Sequence, residues 1–212
     1  MDSRFPSRAL VDVPLASRRS RVALLLIDVV NPLDFPGGED LLRAAIPMAH
    51  RIVALKRRAR AFGIPAIYVN DNFDCWHLGF RELVERLRAS GAPGVPMIEL
   101  LAPEASTDFH VLKPHHSGFF RTALEVLLER LGTKTVILTG VAGDICVLYT
   151  ANDAYVRGFR VVVPRDCVAS ERASDNEHAL RHVERLLKAD LAPSDEIDLA
   201  ALAGDAPLLE RS

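Results

Sequence analysis

Three side chains with complementary chemistry stand at or just beyond the ends of apolar runs. "RVALLLID" (21–28) closes on Asp28, "DFHVLK" (108–113) closes on Lys113, and "LTGVAGDICVLYT" (138–150) carries Cys146 into the first turns of a helix-like segment. A carboxylate can take and return a proton, and a deprotonated thiol is a strong nucleophile. A free thiol has a pKa of about 8.5, and a cation or a helix N-terminus beside it lowers that value. Lys113 could supply the cation. Set side by side, Asp28, Lys113 and Cys146 would support covalent attack on a carbonyl carbon. Each alone has a plainer reading. A strand-end aspartate commonly caps a turn, a lone lysine is commonly solvated, and a lone cysteine in an apolar segment commonly packs in a core. Which reading holds depends on the elements that carry them.

Six apolar runs punctuate the chain, at 21–28, 64–70, 108–113, 134–140, 159–166 and, weakly, near 190. Helical spacing fills most of the intervals. Apolar residues at 41, 42, 45, 46, 49, 52, 53 and 55 form a stripe of period 3.6 that stops at Gly63. "FFRTALEVLLERLG" and "DICVLYTANDAYVRG" repeat the device, each ending on a glycine. "SDNEHALRHVERLLKAD" opens with a capping-box-like Ser174 to Glu177. The short runs are continuously apolar rather than alternating, as expected of strands covered on both faces. The pattern predicts an α/β fold, a parallel sheet between two helical layers. In such sheets ligands bind beyond the carboxyl ends of the strands. Asp28, Asn70-Asp71-Asn72, Lys113, Cys146 and Asp166 all arrive at that edge. The Pro/Gly-rich stretch 89–103 reads as an irregular surface wrap. Residues 1–19 read as an N-terminal arm and 20–212 as a single domain.

Composition narrows the function classes. Hydrophobic residues make up 49% of the 212, ample for one core, and the net charge of −2 leaves no footprint for nucleic acid or an anionic membrane. No apolar stretch approaches the roughly 20 residues that span a bilayer. The Arg- and Ser-rich N-terminus lacks the apolar run of a secretory signal. Cys75, Cys146 and Cys167 are odd in number, widely spaced and without a C-x-x-C, which fits a reducing cytoplasm better than a disulfide framework or a zinc site. Neither G-x-G-x-x-G, G-x-x-x-x-G-K-[ST] nor G-x-S-x-G occurs, which disfavours dinucleotide binding, a P-loop and a serine hydrolase of the α/β type. His178 and His182, four apart on a predicted helix, have metal-ligand spacing but no obvious third ligand.

"LLLIDVVNPL", "VLKPHHSGFF" and "ILTGVAGDICVLYTANDAYVRGFRVVVPRDCVAS" together resemble the isochorismatase-like cysteine hydrolases, the group that includes nicotinamidases and other amidases. The likeness runs from about residue 20 to 190. Its most specific part is the cysteine segment, which matches G-x-x-x-(D/N)-x-C-V-x-x-T-x-x-D-A. The resemblance implies a Rossmann-like three-layer α/β/α fold with a six-stranded parallel sheet of order 3-2-1-4-5-6, and a triad of Asp28, Lys113 and Cys146. It also implies a cis peptide at Val141–Ala142, which would aim the amides of Ala142 and Cys146 at one point as an oxyanion hole. In that order strands one and four are neighbours about 4.8 Å apart, while strand three lies about 10 Å from strand one. The group on strand three must therefore be long, and lysine is.

The implied activity is hydrolysis of a C–N bond in a small amide through a thioester. Two alternatives share the fold: a vinyl ether hydrolase of the isochorismatase type, which needs no thiol, and a non-catalytic thiol redox sensor with Cys167 as resolving partner. By position, the substrate pocket draws on Asn31, Phe35, Asn70, Asn72, Phe73, Trp76 and Phe119, and Ser117 is expected to cap a helix beginning at Gly118. No cofactor is expected. Nicotinamidases carry an Asp-x-His pair for a metal; here Asp71 and His77 are present without that spacing, so a metal there is not supported. The family also often has Gln two residues after its first aspartate, where this chain has Val30 and then Asn31. Family habit implies a homodimer or homotetramer.

Overall fold

The computed structural model describes residues 19–204, so all but the last residue of the expected N-terminal arm lies outside the described residues. The strands β1 (Val22–Ile27), β2 (Ala66–Asp71) and β4 (Thr135–Val141) are buried along almost their whole length. Their unbroken apolar runs suit strands that meet a helical layer on each face. The shorter β3 (Phe109–Lys113) alternates in burial and forms one edge. With β5 (Arg160–Val162) and β6 (Val168–Ala169) they make a six-stranded, all-parallel sheet of order β3-β2-β1-β4-β5, with β6 paired to β4.

Two details depart from the expected order 3-2-1-4-5-6. The run expected over 159–166 yields a strand of three residues, because Pro164 has no N–H to continue the ladder. The chain then turns back, and β6 extends the outer edge of β4 beyond the end of β5, with Val168 opposite Gly140. The weak run near 190 contributes one parallel bridge, Asp190 to Val162, in the position where a sixth strand was expected.

Seven helices complete the layers among the described residues: α1 (Gly38–Ala61), α2 (Phe80–Arg88), α3 (Val95–Leu100), α4 (Leu124–Leu131), α5 (Leu148–Val156), α6 (Ala173–Leu187) and α7 (Leu199–Gly204). Side chains from α1, α2, α3 and α7 join Leu24, Leu26 and Tyr68 in one core. Those from α4, α5 and α6 join Leu25, Ile27 and Val69 in the other. Successive strand residues alternate between the two, as the pleat requires. Part of the stretch expected to be irregular is α3, which buries Met97 and Ile98. Before it, α2 buries Phe80, Leu83 and Val84. The capping box expected at Ser174 does not form: α6 begins at Ala173, Arg172 precedes it, and no side chain caps the turn.

One glycine sets the distance between the two central strands near the rim. Gly140 has φ +112°, and a Cβ there would lie 2.0 Å from the Ile27 carbonyl oxygen. Both the conformation and the space exclude a side chain. Gly140→Ala is expected to cost at least about 2–3 kcal/mol, a fall in Tm of roughly 4–12 °C. A melting curve unchanged within 1–2 °C would show that the rim tolerates separation.

Candidate active site

At the end of β1 the backbone turns. Asp28 still donates its N–H to the Val69 carbonyl at 3.0 Å, but its φ is 50°, outside the strand region. Its carboxylate accepts from the Asp71 N–H at 2.7 Å. Asp71 pairs in register with Lys113 across β2 and β3. The Lys113 side chain, wholly buried, brings its Nζ 2.9 Å from the Asp28 carboxylate, with Asp71 at 3.7 Å. The same Nζ lies 3.6 Å from Cys146 Sγ. Cys146 Sγ and the Asp28 carboxylate share one ammonium between them. A carboxylate from β1, an ammonium from β3 and a thiol from beyond β4 thus meet at one corner of the sheet.

The corner exists because the chain leaving β4 turns tightly. A cis peptide joins Val141 to Ala142, and residues Gly143–Val147 form a π-helical turn that leads into α5. The Ile145 and Val147 amides both donate to the Ala142 carbonyl at 3.1 Å. At Gly143 a Cβ would sit 2.2 Å from Asn176 Oδ1, so only glycine lets α6 pack against the turn. Ser170 Oγ, just past β6, accepts from the Asp144 N–H at 3.1 Å. Thr150 Oγ1 donates to the Cys146 carbonyl at 2.7 Å and accepts from the Gly118 N–H at 3.0 Å. Fully buried, it ties the cysteine turn to the loop that follows Lys113.

Burial decides the charges. It raises the Asp28 pKa above the usual carboxylate value, and the Lys113 charge with the bonds from Cys146, Lys113 and Asp71 offsets this only in part. Burial also opposes the Lys113 charge, but Asp28, Cys146 and Asp71 more than restore it, so its pKa ends above the usual lysine value. Cys146 is pushed well above an ordinary thiol, first by burial and then by the Asp28 charge, with Lys113 offsetting too little. The lowering of the thiol pKa that a neighbouring Lys113 could supply is therefore outweighed at this sulfur. Burial and the carboxyl group beside the sulfur together outweigh the cation and favour the protonated thiol. Cys146 alkylation by iodoacetamide is expected to be slower at pH 7–8 than that of a free cysteine, and to accelerate with further rise in pH. Faster alkylation than a model thiol at pH 7 would contradict this charge assignment.

The pocket expectations divide. Asn70 is fully buried, and its amide accepts from Val30 N–H and donates to the Val30 and Asp71 carbonyls. It braces the ends of β1 and β2, and both hydrogens of its amide nitrogen are taken. Phe119 is likewise a packing residue, buried against Phe159 with Arg157 over its ring. Asn31 accepts from the Leu33 N–H and shapes its own turn. Phe35 is half exposed, and Phe73 takes a left-handed φ of 48° in the loop after β2. Asn72 and Trp76 line a groove of about 690 Å³, together with Asp74, Cys75, Leu78, Leu112, Pro114, His115, Phe120 and Arg121.

That groove lies at the same rim, yet none of the three meeting side chains forms its wall. Phe120 and Arg121 were missed by sequence reasoning, although "HHSGFF" ends on the first of them. Ser117 accepts from the Phe119 N–H at 3.2 Å, a local turn, and its hydroxyl reaches Asp153 on α5. Helix α4 itself begins later, at Leu124. Asp166 turns away from the site and holds Ser194 through its N–H and hydroxyl.

A model of the Isochorismatase domain matches residues 22–193. The chain belongs to the isochorismatase family. This isochorismatase-family hydrolase is 37% identical over 175 residues to an uncharacterized isochorismatase family protein, YaaI, of Bacillus subtilis, covering 82% of this chain and 95% of that one. It is 29% identical over 199 residues to a ureidoacrylate amidohydrolase, RutB, of Methylorubrum extorquens, covering 81% and 79%. Among solved structures, N-carbamoylsarcosine amidase from Thermoplasma acidophilum superposes with a TM-score of 0.64 at 28% identity, covering 84% of this chain and 99% of that one. In this member of the family the residues near Asp71 do not fit a metal. Asp71 accepts from the Phe73 N–H and faces Lys113, and among the described residues no group of three His, Cys, Asp or Glu is gathered for a cation. Among the described residues no helix is long and apolar enough to cross a membrane.

Proposed function

We propose that the protein hydrolyses the C–N bond of a small amide through a thioester on Cys146. The observation that carries this reading is the meeting of Lys113 Nζ with both Asp28, at 2.9 Å, and Cys146 Sγ, at 3.6 Å. Asp28, held on the same ammonium as the sulfur, is the base at hand for the thiol proton. As sulfur attacks the carbonyl carbon, Asp28 takes the thiol proton and the carbonyl π pair moves to oxygen. The amides of Ala142 and Cys146 receive that oxyanion. Collapse of the tetrahedral adduct breaks the C–N bond, and Asp28 hands its proton to the departing nitrogen. Water then loses a proton to Asp28 and attacks the thioester. The C–S bond breaks, the thiolate regains the proton, and the carboxylic acid leaves. Lys113 keeps its charge throughout and balances whichever of the two partners is anionic.

A raised carboxylate pKa suits this double duty, because a base too weak to take the thiol proton would also be too strong an acid to hold it. Relatives named as ureidoacrylate amidohydrolase and N-carbamoylsarcosine amidase support an amide substrate. The vinyl ether alternative leaves Cys146 without a task. The redox alternative needs Cys167 nearby, but Cys167 belongs to the core on one sheet face and Cys146 packs against the core on the other. Burial also pushes the Cys167 thiol up to about 12. Ammonia release from aryl, ureido, N-carbamoyl and aliphatic amides, with and without chelator, tests the reading. Release indifferent to chelator is expected; silence across the panel would remove it.

A further inference from the structure

We propose that Asp71 is a positioning residue of the catalytic corner. Its carboxylate takes one hydrogen of the Lys113 ammonium, and it is the anion that stays with the lysine once Asp28 is protonated and the sulfur is bonded to substrate. This rests on the amidase reading above and deepens it. A lysine ammonium has three hydrogens to donate and no acceptor. The buried Nζ of Lys113 faces three acceptors: Asp28 at 2.9 Å, Cys146 Sγ at 3.6 Å and Asp71 at 3.7 Å. Because β2 lies between β3 and β1, a side chain reaching from Lys113 to Asp28 passes the residue opposite it in register, which is Asp71.

The reaction gives this third partner a task. Once Asp28 has taken the thiol proton and the sulfur has bonded to the carbonyl carbon, neither carries a negative charge. The ammonium is then buried beside two neutral partners, a costly state for a cation. Asp71 supplies the anion that remains, and its side chain, 32% exposed, is open to water on its outer side. Burial opposes the Lys113 charge, and Asp71 is among the groups that restore it.

The turn after β2 is an independent sign that this charge is surplus to local folding. Asp71 Oδ1 accepts from the Phe73 N–H at 2.7 Å, and the next residue, Asn72, accepts from the Asp74 N–H at 3.1 Å in the same way. One amide oxygen is therefore enough for such a turn. The carboxylate at 71 has a second oxygen, and that oxygen faces Lys113. The N–H that Asp71 donates to the Asp28 carboxylate belongs to the backbone, so a substitution at 71 leaves it in place.

The test uses Asp71→Asn, which keeps the shape but has one acceptor oxygen to divide between Phe73 and Lys113. Asp28→Asn stands in for the protonated base. Alone, Asp71→Asn is expected to lower Tm by less than about 3 °C, because Asp28 still pairs with the lysine. In the Asp28→Asn background the same change should cost about 4–10 °C more, and adding Lys113→Met should abolish that excess. A carboxylate that only shapes its turn would cost the same in all three backgrounds. On the best amide of the panel, Asp71→Asn should lower kcat by about 10- to 100-fold with KM within about threefold, since Asp71 acts through the lysine and not on the substrate. Equal melting losses with and without the Asp28 carboxylate, or a kcat within about threefold of wild type, overturn the role of Asp71 and leave the amidase reading intact. A Lys113-dependent excess without ammonia release from any amide keeps Asp71 as the lysine's second counter-charge and removes that reading. Neither excess nor release removes both.

Discussion

Cys146→Ser is expected to lower kcat/KM for amide hydrolysis by at least about 10³-fold while leaving the melting curve within 1–2 °C of the wild type. A hydroxyl is a far weaker acid than a thiol, and the proposed base is the Asp28 carboxylate. In the resting site even the thiol holds its proton. Moving to serine asks the same carboxylate to take a proton several units harder to remove. The substitution removes no core contact of consequence, because Cys146 packs only partly against its neighbours. Ammonia release and circular dichroism together check the expectation. A serine variant within tenfold of wild type would mean that the sulfur is not the attacking atom.

Lys113→Met should damage stability and activity together. Methionine keeps much of the stem's length but leaves the Asp28 carboxylate without its buried counter-charge. Breaking one side of such a pair typically costs about 3–5 kcal/mol, and turnover should fall by about 10³-fold or more. The pH dependence has a definite sign. Without Lys113, the Asp28 pKa in the folded protein rises further above its unfolded value. The folded state then binds more protons than the unfolded one above pH 4, so the variant should lose stability as pH rises from about 4 towards 7 relative to wild type. Adding Asp28→Asn should return much of the stability and none of the activity. In the wild type, Lys113 contributes stability that is present below pH 10.5 and is lost as pH climbs through its raised folded value. A Lys113→Met protein that melts normally at pH 7 would show that the pair carries no such energy.

The site's main parts were legible because strand ends are easy to read. Continuous apolar runs ending at Asp28 and Lys113, and the glycine-flanked turn before Cys146, fixed where these groups must emerge, and a long side chain was needed to cross β2. Weak signals were lost. Two residues of β6 cannot announce themselves, nor can one bridge at Asp190. The amphipathic spacing of Phe80, Leu83 and Val84 did mark α2 and was passed over. Side-chain roles were the least legible. Asn70 and Phe119 stand at pocket positions in sequence, yet the first is consumed by Val30 and the second by the core. The charge state of Cys146 could not be read at all, because it depends on the balance between burial, Asp28 and Lys113 at a single point.

The most direct test is to intercept the covalent state. Acid-quenched turnover is expected to show one acyl group, R–CO in place of hydrogen, on the peptide containing Cys146, and added hydroxylamine should divert product to the hydroxamate. Carboxylic acid formed steadily, with Cys146 unmodified at every quench time and no hydroxamate, would contradict a thioester route.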